Sequence, residues 1–433
     1  MKQCIFWHRR DLRIEDNAAL YYALRSGCEV IPIFIFDTNI LDELPRTDLR
    51  VQFIHQHIEL LVTTYKKLGC NFQVFHGKPF EVLAQVCTQF GCYSIYTNKD
   101  YEPYALQRDA AVAEFLASEG GMLHTYKDHV IFEENEVTKD DGKPYTVFTP
   151  YSKKWKAKLN NYFLRPYPVL ENAEALSKAV PAKDCPTLQA LGFETNSQDL
   201  PKPDFNEHII SNYHATRDIP SIEGTSRLGI HLRFGTISIR ALAQHALLSN
   251  EKFLNELIWR DFYQQILWHF PHVVGNSFKP AYDRIAWRNN KTDFEAWRAG
   301  KTGYPLVDAG MRELNTTGWM HNRVRMVVAS FLTKHLLIDW RWGEAYFAEK
   351  LIDFELASNN GGWQWASGSG VDAAPYFRVF NPALQLQKFD GQLAYVKKWV
   401  PEYGELSYQP IVDHSLARER CLQVYKQALS AEN

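Results

Sequence analysis

The chain has 433 residues, a net charge of −2, 45% hydrophobic and 23% charged residues. That is an ordinary globular balance with volume for two or three domains, and it excludes a uniformly basic nucleic-acid binder, so any DNA contact must come from a local patch. The seven cysteines are scattered, odd in number and form no CxxC pair, which argues against a zinc site and a disulfide framework and fits a reducing compartment.

In chain order, "QCIFWH" and "EVIPIFIF" read as buried strands, and "LRVQFIHQHIELLVTTYKKLG" as a helix closed by Gly69. "NFQVFHG" is a third strand, "PFEVLAQVCTQFG" a helix, "SIYTN" a fourth strand and "ALQRDAAVAEFLASEGG" a helix. This βα alternation predicts a doubly wound parallel sheet. No G-x-G-x-x-G follows the first strand; "WHRRDLRIEDN" stands there instead, so a dinucleotide bound in the Rossmann manner is not expected. Residues 131–204 carry Pro, Lys and small polar residues and read as a long connector. From 205 onward the helical period dominates, with candidates at 238–248, 251–270, 291–299, 304–317, 319–337, 342–351 and 411–429. The fold expected is thus α/β plus all-α: an α/β domain over 1–130, a linker over 131–204 and a helical domain over 205–433. The charged first ten residues and the lack of any apolar run of transmembrane length predict a cytoplasmic protein with no membrane.

Four stretches carry chemistry. In "EGTSRLGIHLRFGTIS", Gly224, Thr225, Ser226 and Arg227 offer pliant backbone, two hydroxyls and a cation, which suits phosphate and equally suits a turn. In "NELIWRDFYQQILWHF", Glu256, Trp259, Arg260 and Tyr263 share one helix face that is poor core material; a surface Glu256–Arg260 ion pair is the plain alternative. In "GWMHNRVRMVVASFLTKHLLIDWRW", Trp319, Asn322 and Met326 share a face amid Arg323, Arg325, Lys334 and Arg341, a basic, aromatic-laced segment fit for nucleic acid or for a solvated helix. His321 reads as a structural histidine. In "NNGGWQWASG", Gly361 and Gly362 admit close backbone approach to a flat ligand, Asp353 and Asn359 can bond a heterocycle edge and Trp365 can stack; a glycine turn seating two core indoles is the alternative.

Together with "WHRRDLRIEDN", "GKTGYPLVDAGMRELNTTGWMHNRVRM" and "LIDFELASNNGGWQWASGSGVDAAPYFRVFNP", these stretches resemble the DNA photolyase and cryptochrome family over essentially the whole chain, nearest to bacterial class I cyclobutane pyrimidine dimer photolyases. The resemblance implies an antenna domain, a linker and a helical domain holding FAD, reduced in the active form. It assigns Tyr213, Thr225, Ser226, Arg227, Leu228 and Gly229 to the FAD phosphates. Phe253, Arg260, Trp319, Asn322, Arg325, Asp353, Glu355 and Asn359 are then expected along the rest of the cofactor, with Asn359 beside flavin N5. Glu256, Trp259, Asn322, Met326 and Trp365 are expected around the lesion, Arg217, Arg323 and Arg378 on DNA phosphates, and Trp363, Trp340 and Trp287 as an electron relay. Asn322 and Met326 stand where enzymes for (6-4) photoproducts carry two histidines, and neither can act as an acid. The function implied is light-driven repair of cyclobutane pyrimidine dimers in ultraviolet-damaged DNA by a monomer, cytoplasmic and nucleoid-associated when bound, with no metal. The alternative is a cryptochrome-type photoreceptor acting through a partner, against which the expected lack of a long signalling tail counts; a flavin electron-transfer protein with no DNA role is a third reading. A second, antenna chromophore is expected to be 8-hydroxy-5-deazaflavin rather than methenyltetrahydrofolate, because "YEPYALQRD" lacks the Asn-Glu pair of folate enzymes at Tyr104 and Ala105, with Arg50 and Arg233 as weak support. Gly229 and Glu355 depart from the family's common Ser and Asp.

Overall fold

A computed structural model describes residues 2–430, which divide into two compact units. The first comprises residues 1–133, 158–204 and 227–245, and the second residues 134–157, 205–226 and 246–433. The connector expected at 131–204 therefore contributes to both.

The first unit is built on a five-stranded parallel sheet: β1 (Gln3–His8), β2 (Glu29–Asp37), β3 (Gln73–Gly77), β4 (Ser94–Asn98) and β5 (Met122–Tyr126), in the order β3-β2-β1-β4-β5. Ile5 on β1 pairs with Ile31 on β2 and Ile95 on β4, all fully buried, which explains the unbroken apolar runs of the central strands. Parallel neighbours need crossovers, and helices supply them: α1 (Ala18–Leu24), α2 (Leu49–Lys67), α3 (Pro79–Phe90) and α4 (Pro103–Ser118). Asn17 and Asp48 cap α1 and α2 by accepting from Leu20 N and Arg50 N, and Pro79 and Pro103 open α3 and α4 where a missing N–H costs nothing. Strand β5 and helix α1 escaped the sequence reading. β5 is half-exposed and lacks an apolar run, and α1 is two turns long.

Inside this unit Asp128 accepts from Arg13 Nη2 (2.6 Å), Arg240 Nη2 (2.7 Å) and Ala18 N (3.2 Å), with its side chain almost wholly buried. Burial alone would raise its pKa, but Arg13 and Arg240 outweigh burial and hold it below the usual carboxylate range.

The second unit is helical. Its framework comprises α5 (Phe148–Lys158, whose last residue falls in the first unit), α6 (Glu251–His269), α7 (Pro305–Thr317), α8 (Asn322–Ser330), α9 (Trp340–Lys350), α10 (Leu356–Ser367) and α11 (His414–Ser430). Its core gathers Trp297, Met311, Val324, Val328, Phe331, Trp340, Phe347 and Trp363. Asp308, buried in α7, holds the preceding turn through Thr302 N (2.7 Å), Thr302 Oγ1 (2.6 Å) and Gly303 N (2.9 Å). No described helix is long and apolar enough to cross a membrane.

Two expectations are corrected. The helix read over 319–337 starts only at Asn322, with His321 as its cap accepting from Arg323 N at 3.2 Å, and runs on as a π-helical turn over Phe331–His335. Trp319 lies before the helix, so it shares no helix face with Asn322 and Met326. "NNGGWQWASG" is not a glycine turn but the body of α10, which ends at Gly368 with φ +91°. Packing on both sides overrides the helix-weakening preference of two adjacent glycines.

Asp128→Asn is expected to cost about 3–5 kcal/mol of stability in denaturant unfolding, because two buried guanidiniums lose a counter-charge. The depressed Asp128 pKa contributes stability above the unfolded carboxylate pKa and loses it as pH falls through the folded value. The variant should therefore show a shallower acid loss of stability than the wild type.

Candidate flavin and lesion site

Helix α10 is fixed by bare backbone at two points. An added Cβ on Gly361 would fall 2.2 Å from the Tyr263 ring of α6, and one on Gly343 of α9 would fall 2.1 Å from the Trp363 ring. These glycines let α6 and α9 approach α10 closely. The opposite stripe of α10 is open: Asn359, Gly362 and Trp365 recur at three-residue spacing, Asn359 and Trp365 are half-buried, and a Cβ on Gly362 would meet nothing within 4 Å.

Asn359 Nδ2 donates to Glu344 O (3.1 Å) and Glu344 Oε1 (2.9 Å). That fixes the amide's orientation and leaves Oδ1 available as an acceptor. Burial raises the Glu344 pKa and the Asn359 bond opposes it. An amide, a bare glycine and an indole in line form a flat surface with one acceptor, a fit for the edge and face of a flavin ring whose N5 carries hydrogen when reduced.

Charged pairs flank this stripe. Arg260 on α6 reaches Glu355 at 2.9 Å with both side chains under a tenth exposed, and Arg325 on α8 reaches Asp353 at 2.9 Å. Glu256 is held by Arg217, and Arg323 by Asp218 at 2.7 Å. The alternative Glu256–Arg260 ion pair is therefore replaced by two longer-range pairs. Tyr213 packs edge-on against Phe253 at 5.2 Å, beneath the Arg217 guanidinium at 5.3 Å. Trp259 carries Phe148 of α5 on its face at 3.7 Å and 2°. α5 is anchored by Trp155, whose Nε1 donates to Asp261 at 3.0 Å.

Glu256, Trp259 and Arg260 lie on α6 and Arg325 and Met326 on α8, and both helices pack on α10, which carries Asn359 and Trp365 and follows the turn with Asp353 and Glu355. Asn322 is exposed at the start of α8, and Trp319 is half-buried just before it. Arg378 is exposed on the segment after α10. Thr225 and Ser226 close a turn whose Gly224 sits against Thr216, and Arg227 follows with φ +53°. Arg227, Leu228 and Gly229 belong to the first unit. Trp363 and Trp340 are buried in one hydrophobic cluster and the half-buried Trp287 packs against it, with Tyr425 edge-on at 6.0 Å. In the first unit, Arg50 is engaged with Asp48 and Arg233 with Glu102. Sequence reasoning missed Glu344, Asp218 and Phe148; each acts through contacts distant in sequence, and only Asp218, beside Arg217, had a local signal.

Residues 4–172 match the family model described as DNA photolyase, and residues 253–409 the one described as FAD binding domain of DNA photolyase. A deoxyribodipyrimidine photo-lyase of Synechococcus sp. is 36% identical, the match covering 99% of this chain and 97% of that protein. The chain belongs to the DNA photolyase family. A bacterial class III photolyase from Agrobacterium tumefaciens superimposes with a TM-score of 0.86 at 31% identity, over 100% of this chain and 98% of that one. A Synechocystis sp. cryptochrome gives 0.86 at 26%, over 98% and 99%. The α/β unit and helical FAD-binding domain expected from sequence are those of this family.

The two glycines of α10 should separate in their effects. Gly361→Ala is expected to destabilise even the cofactor-free protein, by about 1–3 kcal/mol, since the Tyr263 ring must move. Gly362→Ala should leave the cofactor-free protein's thermal midpoint near wild type yet lower FAD retained per chain. Flavin absorbance and thermal unfolding of both variants, each with and without FAD, read this directly.

Proposed function

We propose that this photolyase-family enzyme repairs cyclobutane pyrimidine dimers in ultraviolet-damaged DNA, using light absorbed by reduced FAD. The observation that carries the reading is the open stripe of Asn359, Gly362 and Trp365 on α10, a helix packed through Gly361 against α6, which bears Glu256 and Trp259. Bound and reduced, FAD supplies the excited electron that opens the cyclobutane ring and recovers it afterwards, so no net redox change occurs.

The protein's tasks follow from its residues. Asn359 Oδ1 accepts from the reduced ring edge, and because an amide offers no ready proton it holds that edge without titrating. Arg260–Glu355 and Arg325–Asp353 are fixed, internally neutralised pairs that would line a bound FAD, and Tyr213, Thr225 and Ser226 would hold its phosphate end. A dimer hidden in duplex must leave the stack to reach such a site, the step that base-flipping enzymes share. Trp259, stiffened by Phe148, and Trp365 then wall the dimer and exclude water. Arg323 and Arg378 are proposed phosphate contacts, and Met326 an apolar contact. Asn322 and Met326 supply no acid, which suits ring splitting by an electron and not the hydroxyl transfer of (6-4) repair. A deazaflavin antenna is proposed for the first unit, where Arg50 is paired with Asp48 and Arg233 with Glu102.

The test is repair of a dimer-containing oligonucleotide by purified, reduced protein under blue light; binding without repair would favour a photoreceptor role. Glu256→Ala should keep FAD and lower the repair quantum yield, and an unchanged yield would remove Glu256 from the lesion site. The relay makes a separate demand. Trp363 and Trp340 are buried indoles and Trp287 is the half-exposed one, so Trp287 is proposed as the point where electrons from an external thiol enter the relay. Trp287→Phe should repair normally once reduced chemically, yet bleach oxidised flavin more slowly than wild type under light with thiol present. Equal bleaching rates would place the entry point elsewhere.

A further inference from the structure

Two residues expected to face different partners hold each other. Arg217 was assigned to a DNA phosphate and Glu256 to the dimer, yet the Arg217 Nη1 sits on Glu256 Oε1. While that pair stands, the Glu256 carboxylate can only accept hydrogen bonds, and one Arg217 donor is turned to it instead of to a phosphate. Arg217 also lies 3.9 Å from Asp218, whose carboxylate is taken by Arg323 at 2.7 Å. The four side chains are 20–44% exposed, so the pair is within reach of a ligand.

The chemistry of the dimer sharpens the conflict. Electron arrival places negative charge on the pyrimidine carbonyls. An ionised carboxylate only accepts hydrogen bonds and would repel that charge, whereas a carboxyl group donates to it. Glu256 therefore has to change state between the free protein and the complex. The groups facing it are Arg217, Asp218 and Tyr213 from the segment before the phosphate turn, Arg323 from α8 and Tyr263 from α6 itself. Burial pushes Tyr213 and Tyr263 well up, and it pushes His321, which faces Arg217 and Asp218, down to about 4, so none of these three changes charge near neutrality. Burial already raises the Glu256 pKa, and Arg217 is the main cause holding it back.

We propose that Arg217 exchanges Glu256 for a backbone phosphate when a lesion docks, and that Glu256 takes one proton from solvent in the same event and becomes a hydrogen-bond donor to the dimer. This rests on the dimer-repair reading above. Arg217 is then a positioning residue that couples backbone docking to the protonation of Glu256.

The sign follows from linkage. Binding that takes up one proton weakens as pH rises, by about tenfold in Kd per pH unit, between the Glu256 pKa of the free protein and that of the complex. The experiment measures the Kd of reduced holoenzyme for a dimer-containing oligonucleotide through the neutral range, with FAD content and thermal midpoint checked for each variant. Wild type is expected to show the one-proton slope and Arg323→Ala to keep it with weaker binding. Arg217→Met and Glu256→Gln should lose it. Glu256→Gln, whose amide still donates, should retain most of the repair yield that Glu256→Ala loses, a split that a merely structural role would not produce. A flat wild-type profile, or a slope that survives Glu256→Gln, overturns the exchange, and this variant decides the matter even if Arg217→Met does not fold. Lesion binding and repair with a flat profile would sink the exchange alone; no lesion binding by wild type would sink the repair reading and the exchange with it.

Discussion

The close approach of α10 to its two neighbours is the constraint on which the site depends. A helix can present a flat, open stripe only if its other sides are held tightly, because an amphipathic helix is stabilised mainly by its packed faces. Here those faces are held by ring-on-backbone contact, Tyr263 over Gly361 and Trp363 over Gly343. Side chains in place of those glycines would push α6 and α9 outward. Asn359 would then lose Glu344, which sits on α9, and Glu256 and Trp259 would lose their distance from the stripe, since both ride on α6. Gly361 weakens the helix locally, yet its close approach to Tyr263 fixes where the helix sits.

The charged groups around the stripe obey a second constraint. Arg260 and Glu355 are buried together, and removing either leaves an uncompensated charge, whereas the intact pair contributes little net stability. Such pairs are poor devices for stability and good ones for a fixed field, since neither partner can rotate away into water. Arg260–Glu355 and Arg325–Asp353 tie α6 and α8 to the turn just before α10, so the same contacts that set the field also set the helix positions.

Much of this was legible in the sequence, for identifiable reasons. The central strands announce themselves because burial on both faces leaves unbroken apolar runs, and α6 because its acid, indole, guanidinium and phenol fall on one face. The edge strand β5 and the character of α10 were not legible. β5 has a mixed pattern because its outer side meets solvent, and α10 carries a turn-like pair of glycines whose helical state is imposed by Tyr263 and Trp363. Candidate residues were readable from motifs, but their partners were not. Arg217–Glu256 spans 39 residues and Arg323–Asp218 spans 105, and nothing local in either segment encodes such pairing.

Those partners bear on how a chain of net charge −2 meets a polyanion. Of the three arginines proposed for phosphate, two already hold a carboxylate, Arg217 on Glu256 and Arg323 on Asp218, so these two positions present little unpaired positive charge to passing duplex. Each phosphate contact by these two is an exchange of one anion for another. DNA still sheds its condensed cations, but the Asp218 carboxylate set free recruits one from solution, so net ion release falls short of the number of phosphates touched. Undamaged DNA offers only that exchange, which is near balance. On the proposed reading a lesion would add stacking on Trp259 and Trp365 and a donor from Glu256, and those terms would tip it. Under the proposed exchange, pairing the arginines in advance would lower affinity for ordinary DNA more than for damaged DNA, so a weakly acidic protein would gain selectivity from residues that never touch the lesion.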